Sequence, residues 1–336
     1  MNFVRRSVDA GGVLKPLIIP SSVTGGTGLM NPSVFIDDDG DILCILRHIN
    51  YTLYHAENDQ RFPSVWGPLA YLHPEEDHRL ITTNYLCRLD SNLNITDYCL
   101  IDTSLLDVQP IWTFVGEEDA RLIKWNKKYY ATGVRRDTTT NGQGRMELSE
   151  IKIDKKKWTA KEVSRLRIPP PIDKEAYCEK NWMPVLDKPY HYIKWTSPTE
   201  LVKTYPDLPE RSEQVVVKEG LRSLTDQRGG SQVIKWGDKY IAITHEVVLY
   251  KNYMKQKNAT YRHRLCVWDK DFKLEGLSPE SWSFLDAQIE FVCGAAEYKN
   301  DLLVSFGYSD NAAFMLRVPK TVIDEMVSEA LLYAGV

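Results

Sequence analysis

A β-hairpin pattern that recurs along the whole chain most constrains its fold. In each copy a strand-like run meets a short turn rich in Asp, Asn, Gly or Lys, and a second strand-like run follows. The copies lie at residues 32–46, 122–132, 183–195, 233–242 and 297–306. Further strand candidates with their own turns lie between the copies. Five copies with about four strands each are typical of a propeller, so we predict an all-β, five-bladed β-propeller.

The prediction treats residues 1–336 as one propeller domain. A β-sandwich whose hairpins resemble one another by chance is the alternative. Apolar residues recur at helical spacing near the C-terminus, which predicts a short helix at about residues 318–333.

Charge and cysteine usage exclude several classes of protein. The chain has a formal net charge of -4, which gives no basic footprint for nucleic acid, and no apolar run approaches membrane-spanning length. The first residues lack the apolar core of a secretory signal, so we expect a cytoplasmic protein. The 6 cysteines form no C-x-x-C pair, so we expect neither a zinc site nor disulfides. No motif requires a metal or another cofactor.

The segment 116–122, Gly-Glu-Glu-Asp-Ala-Arg-Leu, carries the strongest chemical signal. It places carboxylates and an arginine directly before a strand-like run. Crowded carboxyl groups can titrate at separate pH values, so that one keeps its proton while another stays charged. Such pairs are typical of glycosyl transfer. The alternative is a solvated acidic loop closed by a salt bridge.

In a propeller the ends of the inner strands surround a central cleft, so equivalent ends of the five repeats should supply one site. A polar residue at one such end is more often structural, and a histidine within an apolar run is usually a core residue. Polar residues nevertheless follow these ends in all five repeats. The candidates are Asn31, Arg47, Glu118, Asp119, Arg121, Glu179, Lys180, Asn181, Arg228, Ser231, Gln232, His245, Glu246, Glu290, Tyr308 and Asp310.

Segment 116–122 resembles the G-x-E-D-P-R motif of glycoside hydrolase family 130. That family consists of five-bladed propellers that include β-mannoside phosphorylases and β-1,2-mannosidases, with β-1,2-mannosyltransferases as relatives. Supporting matches run from residues 31–33 to residues 306–310. The resemblance implies that Asp119 is the catalytic acid. It would pass its proton through a hydroxyl of the bound mannosyl unit, while an acceptor attacks the anomeric carbon with inversion.

The same resemblance implies further roles. Arg121 would orient the carboxylate of the acid, and Glu118 would bind sugar hydroxyls. Residues 179–181 lie where the phosphorylases hold phosphate with a basic residue followed by asparagine. His245 lies in a segment similar to the family's Y-H-G strand, and Asp310 matches a late aspartate that binds sugar.

Three departures from the family pattern bear on the reaction. Ala120 replaces the proline of the motif, and Lys194 stands where phosphorylases offer a second phosphate-binding arginine. A lysine lacks the bidentate fork of arginine, which disfavours a strict inorganic-phosphate phosphorylase. Glu246 stands where the family tends to have glycine. Arg262 and Arg264 provide a further candidate anion site, for a sugar phosphate or nucleotide sugar, although a surface salt bridge is the alternative.

An inverting displacement needs a base opposite the acid, and Glu179, Glu246 and Glu290 are the candidates. Aromatic residues near these segments could stack on a sugar, with packing inside the blades as the alternative. They are Trp182, Trp195, Trp236, Tyr261 and Phe291.

The favoured hypothesis is an inverting glycosyl-transfer enzyme that builds or remodels a mannose-containing glycan from an activated sugar. A β-mannoside hydrolase of the same family is the first alternative, and a catalytically silent propeller that binds glycan or protein is the second. The expected partners are an oligosaccharide and a sugar phosphate or nucleotide sugar. We expect no nucleic acid, no membrane span, and a possible homo-oligomer.

Overall fold

The computed structural model describes residues 2–26, 28–54, 70–72, 79–173, 175–221, 226–251 and 257–333. The elements, in chain order, are α1 (Phe3–Asp9), β1 (Val13–Pro16), α2 (Ser21–Thr24), β2 (Leu29–Ile36), β3 (Ile42–Ile49), β4 (Thr52–Tyr54), β5 (Ala70–Leu72), β6 (Leu80–Leu89), β7 (Ile95–Asp102), β8 (Phe114–Val115), β9 (Glu118–Trp125), β10 (Lys128–Arg135), β11 (Arg145–Asp154), β12 (Thr159–Arg167), β13 (Met183–Pro184), β14 (His191–Trp195), β15 (Thr199–Thr204), β16 (Ser212–Lys218), β17 (Ile234–Trp236), β18 (Lys239–Lys251), β19 (Lys257–Trp268), β20 (Leu274–Leu277), β21 (Glu290–Tyr298), β22 (Asp301–Tyr308), β23 (Ala312–Pro319) and α3 (Lys320–Tyr333). The chain is nearly all-β, and its short C-terminal helix confirms that part of the prediction.

The strands form four-stranded antiparallel units. In hydrogen-bonded order they are β2-β3-β6-β7, β9-β10-β11-β12, β13-β14-β15-β16, β17-β18-β19-β20 and β21-β22-β23-β1, called here the first to the fifth unit. Each predicted hairpin corresponds to the first two strands of one unit, which confirms all five hairpins. In the hairpin of the second unit, Asn126 and Lys127 both have positive φ, at 51° and 65°. This is the backbone that a tight two-residue turn requires.

Two pairings join distant parts of the chain. Strand β1 pairs with β23, with Val13 opposite Arg317, so the N-terminal segment completes the last unit. Strands β7 and β12 pair in parallel at Ile101 and Ala160, which connects the first two units into one larger sheet.

In the first, second, third and fifth units, burial decreases from the first strand of the unit to the fourth. Strand β2 is buried along nearly its whole length, whereas the fourth strand of that unit, β7, alternates exposed and half-buried residues. A strand that is covered on both faces has a continuous apolar sequence, whereas a strand with one solvent-exposed face alternates apolar and polar residues. The first strands are therefore central, and the polar groups at their ends lie where the units meet.

One buried amide connects several central strands. Gln232, with no solvent exposure, donates from Nε2 to Ser33 Oγ, Val34 O and Leu122 O, each at 3.0 Å. Its Oε1 accepts from the backbone N of Ala295 at 3.0 Å. The expectation that Gln232 binds substrate is therefore wrong, because its amide is used in holding the strands of the first, second and fifth units together.

Helix α3 packs through one apolar stripe. Val322, Ile323, Met326 and Ala330 are buried, as expected for spacings of three and four residues. The Trp236 indole donates to Asp324 Oδ1 at 2.8 Å, which fixes the helix against the fourth unit and gives this tryptophan a structural role.

Candidate functional site

Asp119 lies at the start of β9 and is held by two side chains of the first unit. Its Oδ1 accepts from Asn31 Nδ2 at 2.7 Å and from Arg47 Nη1 at 2.8 Å. The Arg47 side chain is only 5% exposed, and its Nη2 also lies 3.6 Å from Glu118 Oε2. Thr82 Oγ1 accepts from the same guanidinium and fixes its orientation. Both carboxylates of the acidic segment therefore meet one buried cation.

Four candidate residues have a left-handed backbone. The φ angles are 43° for Asn31, 53° for Asp119, 61° for Asn181 and 49° for Asp310. Asn and Asp tolerate this region better than other side chains, and such residues concentrate at functional sites. The pairing register shifts beside two of them, in β2–β3 and in β9–β10, so the strand ends turn their side chains out of the regular alternation.

Arg121 donates hydrogen bonds to backbone carbonyl oxygens near the site. The residue is 1% exposed, and its Nη1 donates to the carbonyl oxygen of Asp119 at 2.7 Å. Its Nε and Nη2 donate to Gly230 O at 3.1 and 2.9 Å, and Nη2 lies 3.5 Å from Asn181 Oδ1. Instead of binding the Asp119 carboxylate, as the resemblance implies, it fixes the backbone that presents this carboxylate and joins the second, third and fourth units.

The carboxyl groups of Asp119 and Asp310 differ in acidity. Burial opposes ionisation of Asp119, but Arg47, Arg121 and the hydrogen bond from Asn31 hold its pKa below the usual value. Burial raises the pKa of Asp310 to about 6, and the negative charge of Asp119 adds to this effect while Arg47 opposes it. Asp119 is therefore ionised at neutral pH, and Asp310 holds its proton until the solution is nearly neutral.

An aromatic group from the fourth and fifth units faces these charges. The His245 ring stacks on Tyr261 at 5.5 Å and meets Phe291 edge-on at 4.9 Å, and Arg121 lies 5.7 Å from the Phe291 ring centre. Burial and the nearby cations, among them Lys180, lower the pKa of His245 well below its usual value, so the imidazole is neutral. Burial, then Asp310 and Asp119, raises the pKa of Tyr261 to about 12. Its hydroxyl therefore stays protonated beside both carboxyl groups.

A cavity of about 510 Å³ lies beside this centre and is lined by Lys180, Asn181, Arg228, Lys194 and Trp195, among others. In the same cavity, Glu179 Oε1 accepts from Lys194 Nζ at 2.8 Å, and its Oε2 accepts from Trp182 Nε1 at 3.0 Å. Lys194, which stands where the resemblance implies a phosphate-binding arginine, is thus paired with a carboxylate.

Several predicted site residues use their side chains in contacts within the protein. Glu290 is fully buried and accepts from the backbone N of Phe284, Leu285 and Ala287. We therefore correct its assignment as a base to a structural one, because both of its oxygens hold this loop. Tyr308 lies opposite Glu290 in the β21–β22 ladder, and its ring contacts Phe314 edge-on at 6.2 Å.

The predicted anion site at Arg262 and Arg264 is largely engaged with the protein. Arg264 donates to Ser278 O at 2.7 Å and to Pro279 O at 3.0 Å. Arg262 Nη1 donates to the carbonyl oxygen of Tyr261 at 2.9 Å. Glu246 accepts from Gln227 Nε2 at 3.0 Å and lies 3.4 Å from Arg264 Nε. These contacts hold β18 against β19. The Ser231 hydroxyl also binds within the protein, since it donates to the backbone carbonyl of Gln232.

Within the described ranges, no group of three or more His, Cys, Asp and Glu residues is arranged to hold a metal ion. A search of the same residues for a helix long and apolar enough to cross a membrane finds none.

No family model and no curated protein matches this sequence. Among solved structures, a β-1,2-mannobiose phosphorylase from Listeria innocua is 14% identical with a TM-score of 0.55, over 94% of this chain and 95% of its own. A GDP-Man-dependent mannosyltransferase from Leishmania mexicana is 14% identical with a TM-score of 0.54, over 94% of each chain. A glycosyl hydrolase from Bacteroides ovatus is 9% identical with a TM-score of 0.56, over 88% of this chain and 85% of its own. This protein therefore shares their fold over most of its length, which supports the resemblance to glycoside hydrolase family 130 at the level of fold.

Proposed function

We propose that the protein is a five-bladed propeller enzyme that transfers a mannosyl unit from a phosphorylated donor to a sugar acceptor with inversion. The five four-stranded units would be the blades, each contributing residues to one central site. Support comes from the polar ends of the first strands and from the shared fold with mannose-active proteins. Fold likeness alone does not choose a reaction, so the choice rests on the chemistry of the site.

The contacts of Asp119 carry this choice, because its carboxylate accepts from Asn31 Nδ2 at 2.7 Å and from Arg47 Nη1 at 2.8 Å. A hydrolase would need the acid at this position to be protonated so that it can assist a poor leaving group. A phosphorylated donor leaves as a stable anion, and then the acceptor hydroxyl must lose a proton. Arg47, Arg121 and Asn31 hold Asp119 as the carboxylate that can accept this proton. The acceptor oxygen attacks the anomeric carbon, the bond to the phosphate oxygen breaks, and the phosphate leaves with the electron pair.

The placement of the glutamates also favours transfer over hydrolysis. A water-activating base needs a carboxylate that can reach water opposite the leaving group. Glu179 already accepts from Lys194 and Trp182, and Glu246 accepts from Gln227. We assign Lys180, in the cavity beside Asn181, to the phosphate of the donor. Arg228 lines the same cavity and would exchange its partner Asp226, 3.0 Å away, for this phosphate. Asp310, His245 and Tyr261 would then border the mannosyl unit.

Proton NMR of the purified protein with mannobiose acceptors tests the proposal. Parallel samples contain mannose 1-phosphate, GDP-mannose or buffer alone, and each is repeated with Asp119→Asn and with the exposed control Asp238→Asn. We expect a new anomeric signal that requires a phosphorylated donor, persists in the control and is lost in Asp119→Asn. Free mannose in buffer alone would identify a hydrolase instead. Sugar binding without any turnover would identify a binding protein.

A further inference from the structure

The cavity beside Asn181 contains an ion pair that is shielded from solvent. Glu179 Oε1 accepts from Lys194 Nζ at 2.8 Å, and the two side chains are only 11% and 16% exposed. A second ion pair of this cavity, between Arg228 Nη2 and Asp226 Oδ2 at 3.0 Å, is 40% and 46% exposed. Water and salt screen the exposed pair, so its arginine can exchange partners at little cost, whereas a shielded charge cannot lose its partner cheaply. The two pairs therefore respond differently to an incoming anion.

Further contacts hold Glu179 and Lys194 in place. Glu179 Oε2 accepts from Trp182 Nε1 at 3.0 Å, and this tryptophan is 1% exposed. The backbone N of Glu179 donates to Gly144 O at 3.0 Å. Lys194 Nζ lies 5.6 Å from the centre of the Trp182 ring, which is within the range of a cation–π interaction. Neither partner can swing away from the other without losing a second contact as well.

A free phosphate ion would meet a carboxylate beside the lysine that it needs. Lysine binds phosphate as a point charge, so its ammonium group must face the anion. A phosphate on Lys194 would bring its negative charge next to that of Glu179, and this repulsion is strong where little water enters. Lys180 forms no ion pair among the described residues, so it can hold a phosphate that is attached to the donor sugar. Such a donor is also bound through its sugar, whereas free phosphate has only the charges.

We propose that Glu179 is a specificity-determining residue that excludes inorganic phosphate from the site by holding Lys194. This inference rests on the proposed mannosyl transfer and names a nucleophile that the site rejects. In phosphorolysis a phosphate oxygen attacks the anomeric carbon of the finished mannoside, the glycosidic bond breaks, and the glycosidic oxygen takes a proton from Asp119. Weak binding of free phosphate makes this reaction slow, so the mannoside that the enzyme builds is not returned to mannose 1-phosphate.

Isothermal titration calorimetry with inorganic phosphate tests the proposal, near neutral pH in a phosphate-free buffer of constant ionic strength. Glu179→Gln removes the charge and keeps an acceptor for Trp182, and Glu179→Ala is a second variant that releases the same lysine should the first not fold. The double variant Glu179→Gln/Lys194→Met removes the released cation again. Glu200→Gln is the matched control, because Glu200 lines the same cavity but forms no ion pair within the described part of the chain. Circular dichroism and urea unfolding establish that each variant is folded.

We expect the wild type to bind phosphate with a Kd above about 5 mM, and the Glu179 single variants to bind it at least about tenfold more tightly than the wild type. The double variant should lose this gain, and Glu200→Gln should change the affinity by less than about threefold. A wild-type Kd below about 5 mM would overturn the proposal whatever the variants do. An unchanged affinity in a folded Glu179 variant, a gain that survives Lys194→Met, or an equal gain in Glu200→Gln would also overturn it.

The binding experiment needs no turnover, so its result is separate from that of the NMR assay. Absence of mannosyl transfer in the NMR assay contradicts the proposed function. The phosphate affinities instead decide whether Glu179 holds Lys194 away from a free anion.

Discussion

Replacing Asp310 with asparagine should stabilise the protein at neutral pH. Burial raises the pKa of Asp310 from 3.8 in an exposed carboxyl group to about 6. Between these two values the folded state binds more protons than the unfolded state. Stability therefore falls as the pH rises through this interval, and the loss is nearly complete about one pH unit above the folded pKa. Asparagine has no proton to lose, so the variant escapes this loss.

The magnitude follows from the two pKa values. Their difference corresponds to about 3 kcal/mol at pH 8 and to about 2 kcal/mol at pH 5, where the folded state is still mostly protonated. The advantage of Asp310→Asn over the wild type should therefore grow by about 1 kcal/mol between pH 5 and pH 8. This growth is independent of any constant effect of the new amide, so it isolates the titration.

Urea unfolding followed by tryptophan fluorescence at several pH values measures this difference, since the chain has 9 tryptophans. The control Asp238→Asn, whose side chain is 90% exposed, should keep a constant difference from the wild type. A constant or shrinking difference for Asp310→Asn between pH 5 and pH 8 would refute the proton-holding role of Asp310.

Further predictions concern the central charges and the packing. Asp119→Asn should lower the free energy of unfolding at pH 7, whereas Asp310→Asn should raise it. The reason is that Asp119→Asn removes a carboxylate from the buried Arg47. An unfolding midpoint at or above that of the wild type would contradict the ion pair. The same variant should lose about 10²- to 10⁴-fold in turnover in the NMR assay. Gln232→Leu removes four hydrogen bonds and should lower the free energy of unfolding by about 3 kcal/mol; an unchanged urea midpoint would show that the amide is dispensable. Met326→Ala in α3 should cost about 2–5 kcal/mol, whereas Leu332→Ala, 78% exposed, should cost less than about 0.5 kcal/mol, and equal costs would contradict the packing of the helix.

The strands were predictable because turn chemistry and apolar runs are local properties of the sequence. Asn126–Lys127 and the repeated turns mark hairpins whatever lies around them. The closure of the fifth unit by β1 was not predictable, because residues 13–16 pair with residues 314–317 and no local pattern records a partner so distant. The same reason explains why the connection between β7 and β12 had no signature.

The candidate site shows where strand-end reasoning fails. A polar residue at the end of a central strand can face a ligand or can satisfy a backbone group, and the sequence does not distinguish the two. Gln232 and Glu290 belong to the second class, since their partners are backbone groups of other strands and loops. Asn31 and Asp119 meet across 88 residues, and only the three-dimensional arrangement shows that they share a hydrogen bond.

Hydrogen bonding separates the carboxyl groups whose pKa burial raises into two kinds. Glu290 and Glu147 have pKa values raised by burial, yet each accepts several hydrogen bonds, so their placement is explained by the fold. Asp310 and Glu117 are also raised, but no hydrogen bond to either carboxyl group is found within the described residues. Burying such a group lowers stability unless a partner is supplied. Because local rules are broken mainly at functional sites, the unpaired carboxyl group of Asp310 agrees with the contact to the mannosyl unit that we propose for it.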